Sequence, residues 1–383
     1  MAEVGLRAYR FSIAWSRVLP DGAGTLNQKG LDFYDRLVDT LLTKNIEPYA
    51  CLFHYDLPLA LHRMGGWTKR DTASHFADYA CIVAERLSDR VRYFFTHNEP
   101  WVAAVLGYMV GQHAPGIKSP IAACKALHHM LLSHGLALDA IRAAAHQPVK
   151  IGITLNLTPM YPFSDDPRDI AVARRSDATL NRAVLDPLLC GTSPLQESAL
   201  GRTFSRLFIK PGDMEIIRRL DVLGVNYYSR SVVKHNPILP FIGVEPQKPE
   251  GSEYSMMWEI YPAGMSDLLT RIWNEYCPAC EIMVTENGMP LLDTVAANGC
   301  LHDERRIRYI QSHLTQIHRA MQNGVPVKGY FYWSFTDNFE WALGYAPRFG
   351  LVHVDYNTLQ RTIKESGRWF GQVIQANGFS SEN

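Results

Sequence analysis

The stretch Val91-Arg92-Tyr93-Phe94-Phe95-Thr96-His97-Asn98-Glu99-Pro100 opens as a strand and closes on polar side chains. Residues 91–97 form a short apolar and aromatic run, the composition of a buried strand. Asn98 and Glu99 follow it directly, and Pro100 suits the first turn of a helix and restricts the backbone just after Glu99. Six further runs have the same character, at residues 7–14, 47–53, 149–156, 221–228, 281–285 and 327–333. Between them lie segments of helical period, such as 31–44 and 70–87, the first opening after the turn residues Asn27 to Gly30. Strand and helix in alternation predict repeated βα units around a parallel sheet. The Pro- and Gly-bearing insertions at 159–169 and 237–251 read as loops, because the alternation resumes after each.

The strand ends separate a barrel from an open doubly wound sheet. Arg10 lies within the first run, His54 follows the second and Asn98-Glu99 the third; Asn156, Asn226 with Tyr228, Glu286 and Trp333 mark the others. A (β/α) barrel builds its site from the C-terminal ends of many strands at once. No G-x-G-x-x-G follows the first strand, which argues against a dinucleotide fold. Seven strands are readable where a closed barrel of this kind needs eight.

The remaining composition narrows the ligand. A chain of 383 residues with 47% hydrophobic content can bury a large core. Lys+Arg and Asp+Glu number 38 each, so no net field draws the chain to nucleic acid or an acidic membrane surface. No apolar run reaches eighteen residues, and residues 1–5 lack the basic and apolar regions of a signal peptide. A small or neutral ligand is expected, and eight Trp and eighteen Tyr are compatible with sugar binding. The cysteines at 51, 81, 124, 190, 277, 280 and 300 are odd in number and show no disulfide framework, which points to reduced thiols and a cytoplasmic chain. Cys277-Pro278-Ala279-Cys280 lacks the second pair of a zinc ribbon. His128, His129 and His134 lie in a helical stretch and read as surface or interhelical residues.

Thr96-His97-Asn98-Glu99-Pro100 ends the third strand and Val284-Thr285-Glu286-Asn287-Gly288 the sixth, with Gly288 suited to a tight turn. Retaining hydrolysis of a glycosidic bond needs one carboxylic acid to protonate the leaving oxygen and a second carboxylate to attack the anomeric carbon, about 5 Å away. Two strand ends across a barrel mouth can supply that pair.

Six strings in order, Tyr9-Arg10-Phe11-Ser12-Ile13-Ala14-Trp15, Phe53-His54-Tyr55-Asp56-Leu57-Pro58, Asn98-Glu99-Pro100, Asn226-Tyr227-Tyr228, Thr285-Glu286-Asn287-Gly288 and the segment from Trp333 through Glu340 to Trp341, resemble glycoside hydrolase family 1, the β-glucosidase family. The resemblance spans essentially the whole chain. It implies a TIM barrel that removes a terminal β-linked sugar, with Glu99 as acid/base and Glu286 as nucleophile, and it implies no metal or organic cofactor. Arg10 and Tyr228 match the residues that contact the nucleophile. His54, Asn98, Glu340 and Trp341 match the donors and acceptors for sugar hydroxyls, Trp333 the stacking platform, and Trp258 an aglycone platform with Phe349 nearby. A negative Glu340 favours non-phosphorylated substrates, here β-glucosides or short β-linked oligosaccharides.

Three departures stand out. Tyr55 occupies a position where tryptophan is usual, and His97 replaces an apolar residue and could tune Glu99 or only fill space. The family's opening strand, with its glutamine motif, has no counterpart, and residues 1–6 read as the end of the first helix. The expected architecture is therefore a single domain over 1–383, a (β/α)8 TIM barrel lacking its first β/α unit. Such a barrel has two unpaired edges; a shifted strand, a homo-oligomer or a start site assigned at an internal methionine would each account for them. A catalytically impaired sugar-binding scaffold and a mainly transglycosylating enzyme stay open as alternatives.

Overall fold

The seven expected strands all form, and they pair in parallel in chain order. In the computed structural model, which describes residues 1–238, 243–293 and 301–380, they are β1 (Ala8–Ser12), β2 (Glu47–Phe53), β3 (Tyr93–Asn98), β4 (Lys150–Asn156), β5 (Val222–Asn226), β6 (Glu281–Glu286) and β7 (Val327–Tyr330). The principal helices are α1 (Gln28–Thr43), α2 (Asp71–Leu87), α3 (Pro120–Ala144), α4 (Ala263–Tyr276), α5 (Glu304–Gln322) and α6 (Glu365–Ala376). Helix α3 starts where Ser119 accepts a hydrogen bond from the Ala122 amide and Pro120 opens the first turn.

Strand alternation divides the core into two layers. Tyr49, Cys51, Phe95, Val222 and Met283 pack together inside the curl of the sheet. Their strand neighbours Ala50, Leu52, Phe94, Leu223, Ile282 and Val284 face the helices instead. Strands buried on both faces read as continuous apolar runs, which is why the sequence pattern located them so well.

The curled sheet does not close. Among the described residues β1 and β7 each pair on one side only, and a cavity of about 390 Å³ separates Ala8, Arg10 and Ser12 from Tyr330 and Phe331. Burial follows the same division: β5 is buried at all five positions, β1 at only one.

Several local readings need correction. The insertions expected as loops instead supply, with Ser231–His235, a small three-stranded sheet in the order Met160–Pro162, Ser231–His235, Val244–Gln247. These strands are only three to five residues long, and Pro162 and Pro246 sit on its edge strands, where a missing N–H is tolerated. Residues 239–242 of that insertion lie outside the described residues, as does Cys300. Gly30 belongs to α1 rather than to a turn: a Cβ there would stand 1.9 Å from the Arg17 carbonyl oxygen. His128, His129 and His134 are interhelical but buried, not surface residues. His128 Nε2 lies 2.8 Å from Asp213 Oδ2, a carboxylate 85 residues away in sequence. Cys277 ends α4 in a left-handed conformation, and both it and Cys280 are free thiols.

Candidate active site

The two glutamates are aimed by the same device. Between β3 and β4, Phe95 pairs with Gly152 but Asn98 pairs with Thr154, so β3 carries one extra residue. Thr96 and His97 consequently both face α3, through His134 Nδ1 at 2.8 Å and Ser133 Oγ at 2.7 Å. Asn98 turns into the sheet's interior and Glu99 follows it. On β6, Val284 pairs with Val225 and Glu286 with Asn226, again one extra residue before the carboxylate. Bulges of this kind re-aim a side chain at a strand end.

Glu99 and Glu286 line one cavity of about 230 Å³ at the C-terminal ends of the strands, together with His54, Tyr228, Trp258, Trp333, Glu340, Trp341 and Phe349. Arg10 Nη1 donates to Glu286 Oε1 at 2.8 Å, and the Tyr228 hydroxyl donates to Oε2 at 2.7 Å. The Arg10–Glu286 ion pair is almost wholly shielded from water, with side-chain exposures of 6% and 5%. Glu99 has different partners: Asn226 Nδ2 donates to Oε1 at 2.8 Å and the Tyr55 hydroxyl donates to Oε2. Burial, and then the charge of Glu286, raise the Glu99 carboxyl to about 7, against the lowering effect of Asn226, Tyr55 and Arg10.

The second layer locks these donors. Arg10 Nη2 donates to Asn98 Oδ1, which also accepts from Asn226 Nδ2 at 3.3 Å. Thr285 Oγ1 donates to Asn226 Oδ1 at 2.8 Å, which orients that amide so that its nitrogen faces Glu99. Asn98 Nδ2 stands 3.1 Å from His54 Nε2, and burial, then Arg10, lower the His54 ring to about 3, leaving a neutral acceptor. Glu340 is pushed up to about 7 by burial and then by Glu286, while Trp333 lowers it; among the described residues its Oε2 is buried without a hydrogen-bond partner.

Aromatic rings complete the walls. His54 packs 5.6 Å from both Trp333 and Trp341, and Trp258 lies 4.9 Å from Tyr228 and 5.9 Å from Phe349. Gly288 is required by close approach rather than by a turn: a Cβ there would lie 1.9 Å from the Trp333 carbonyl oxygen. Tyr55 (φ 78°), Glu99 (φ 47°) and Trp341 (φ 43°) are all left-handed without being glycine, and all three line this cavity. Strain concentrated in this way is a mark of a functional site.

A cavity floored by two unequal carboxylates and walled by tryptophans is a glycosidase arrangement, and the sequence profile of "Glycosyl hydrolase family 1" matches residues 1–379. The chain belongs to glycosyl hydrolase family 1. The family acts with retention, and this chain is a β-glucosidase-type hydrolase. It is 43% identical over 381 residues to a 1,4-beta-D-glucan glucohydrolase of Thermotoga neapolitana, covering 99% of this chain and 85% of the relative. It is 39% identical to a bifunctional beta-D-glucosidase/beta-D-fucosidase of Bifidobacterium breve, covering 98% and 85%. The family 1 b-glucosidase of Thermotoga maritima superposes with a TM-score of 0.93 at 41% identity, covering 99% of this chain and 85% of that one. The same enzyme has also been solved in complex with deoxynojirimycin, again with a TM-score of 0.93.

All ten site residues read from the sequence converge here: Glu99, Glu286, Arg10, Tyr228, His54, Asn98, Trp333, Glu340, Trp341 and Trp258 line the cavity or bond directly to a side chain that does. His97 does not. It stacks on Phe76 at 4.5 Å and bonds Ser133, so it fills space between sheet and helices. The donors of Glu99 were missed. Asn226 marks a strand end with no role assigned to it, and Tyr55 stands out in the sequence only as a departure where tryptophan is usual. Among the described residues no group of three or more His, Cys, Asp or Glu side chains is placed to hold a metal ion.

Proposed function

We propose that Glu99 is the general acid/base and Glu286 the nucleophile of this family 1 enzyme. The observation that carries the reading is the pairing of each carboxylate in one cavity with its own donors, an ion pair for Glu286 and neutral groups for Glu99. In the first step Glu286 attacks the anomeric carbon while Glu99 delivers its proton to the departing oxygen. The ester so formed removes the Glu286 charge, the second largest cause of the raised Glu99 carboxyl. Glu99, now ionised, is then stable enough to take a proton from the water that attacks the anomeric carbon and frees Glu286.

The substrate is a terminal, non-phosphorylated β-D-glycosyl residue of a β-glucoside or short oligosaccharide. The unpartnered Glu340 Oε2 offers an acceptor to sugar hydroxyls, and the Trp333 ring offers a stacking face. As pH rises through about 7 Glu340 loses its proton, so repulsion of a substrate phosphate grows with pH. Trp258 and Phe349 form the aglycone side. Residues 1–383 act as one catalytic domain, the thiols stay reduced in a cytoplasm, and a homo-oligomer covers the open seam between β1 and β7. The described residues include no helix long and apolar enough to cross a membrane.

The test is hydrolysis of an aryl β-glucoside followed by NMR of the first-formed anomer. The β-anomer is expected from the unaltered chain and no turnover from Glu286→Ala. Full activity in Glu286→Ala would overturn the assignment.

A further inference from the structure

We propose that Tyr55 is a positioning residue of the reaction, whose phenol makes Glu99 a better proton donor by bonding the carboxylate that proton transfer leaves behind. The proposal rests on the reading of Glu99 as acid/base.

The geometry is specific. Each Glu99 oxygen has one neutral donor, Asn226 Nδ2 on Oε1 and the Tyr55 hydroxyl on Oε2, in a side chain buried from water. Both ends of the phenol–carboxylate bond stand on left-handed backbone, φ 78° at Tyr55 and φ 47° at Glu99. An aromatic residue holds such a conformation only when its surroundings over-determine it. Here the Asp56 carboxylate accepts from the Trp15 amide at 2.8 Å and the His54 amide at 3.3 Å, which anchors the turn on both sides of the cavity wall. The Tyr55 ring is then packed by Trp341 at 4.9 Å, His54 at 5.0 Å and His113 at 6.1 Å. Burial and the adjacent Glu99 hold the phenol well above its ordinary pKa, so it remains a donor throughout the working range.

A hydrogen bond to a carboxylate is about twice as strong as one to a neutral acid. The Tyr55 bond therefore strengthens as Glu99 releases its proton, and stabilises the transition state of that step more than the ground state. Its contribution is largest where the leaving group needs protonation and smallest where it departs unaided. The same bond favours ionised Glu99 in the free enzyme, so removing the hydroxyl moves the alkaline limb of kcat/KM upward.

The experiment compares Tyr55→Phe with the unaltered chain on an alkyl β-glucoside and a dinitrophenyl β-glucoside across pH. The expected result is an alkyl-to-dinitrophenyl rate ratio about tenfold lower and an alkaline limb about one pH unit higher. Equal slowing on both substrates with an unmoved limb would overturn the proposal and leave Tyr55 as packing alone. Tyr55→Trp, which keeps an aromatic wall but lacks a donor on the phenol's axis, serves if the Phe variant does not fold, with the same expectations. Glu99→Gln separates the two readings. If it keeps the alkaline limb and the alkyl-glucoside activity, the acid/base assignment itself fails; if it loses both while Tyr55→Phe moves neither, only the Tyr55 proposal fails.

Discussion

Glu286 and Glu99 share a cavity, a side-chain type and a one-residue register shift beneath them, yet their neighbours differ. Glu286 is ion-paired to Arg10 and receives the Tyr228 phenol. Among the described residues Glu99 instead bonds a neutral amide and a neutral phenol, and burial with the nearby Glu286 charge raises its carboxyl to about 7. One guanidinium placed against one of two identical groups thus supports the opposite tasks we propose for them.

The largest expected effect comes from deleting the ion-paired member: Glu286→Ala lowers kcat by at least about 10⁴-fold, read with an aryl β-glucoside. Arg10→Met removes the cation that distinguishes the pair. It is expected to cost on the order of 10²–10³-fold in kcat/KM, and about 3–5 kcal/mol in chemical denaturation, because it leaves a buried charge unpaired. The comparison sharpens in Glu286→Gln, where the Glu99 carboxyl, followed by carbon NMR, titrates below about 7 once the neighbouring charge is gone. In the unaltered enzyme kcat/KM should fall as pH rises through about 7, since Glu99, as the proposed acid, then loses its proton. The same sign holds for stability. A carboxyl raised above its unfolded value contributes fully below the unfolded pKa, and that contribution is lost as pH rises through about 7. The smallest change is expected away from both carboxylates: Trp258→Ala should raise KM for aryl glucosides only about three- to tenfold, the scale of one stacking contact.

Much of this was legible in the chain. All seven strands lay where apolar runs placed them, because most of their positions face either the helices or the interior of the curl, and polar side chains gather toward their C-terminal ends. Those ends therefore announced Asn98-Glu99 and Glu286. The three-stranded side sheet was hidden because strands of three to five residues with proline at their edges carry no period to read. His97 kept two readings in the sequence because strict alternation would point it inward; only the bulge turns it toward Ser133 and selects the space-filling one. Asn226 and Tyr55 were underread because their roles depend on touching Glu99 across 127 and 44 residues.

By itself, then, the sequence determined the strand order, the parallel α/β architecture and the residue types at the cavity. These follow from periodicity and from which positions water must not reach. The tertiary structure alone decided which oxygen meets which donor, that the seven-stranded sheet stays open between β1 and β7 among the described residues, and that Arg10 bonds Glu286 rather than Glu99. Such facts depend on ångström-scale register and on left-handed turns at Tyr55 and Glu99, which no local pattern of residues encodes.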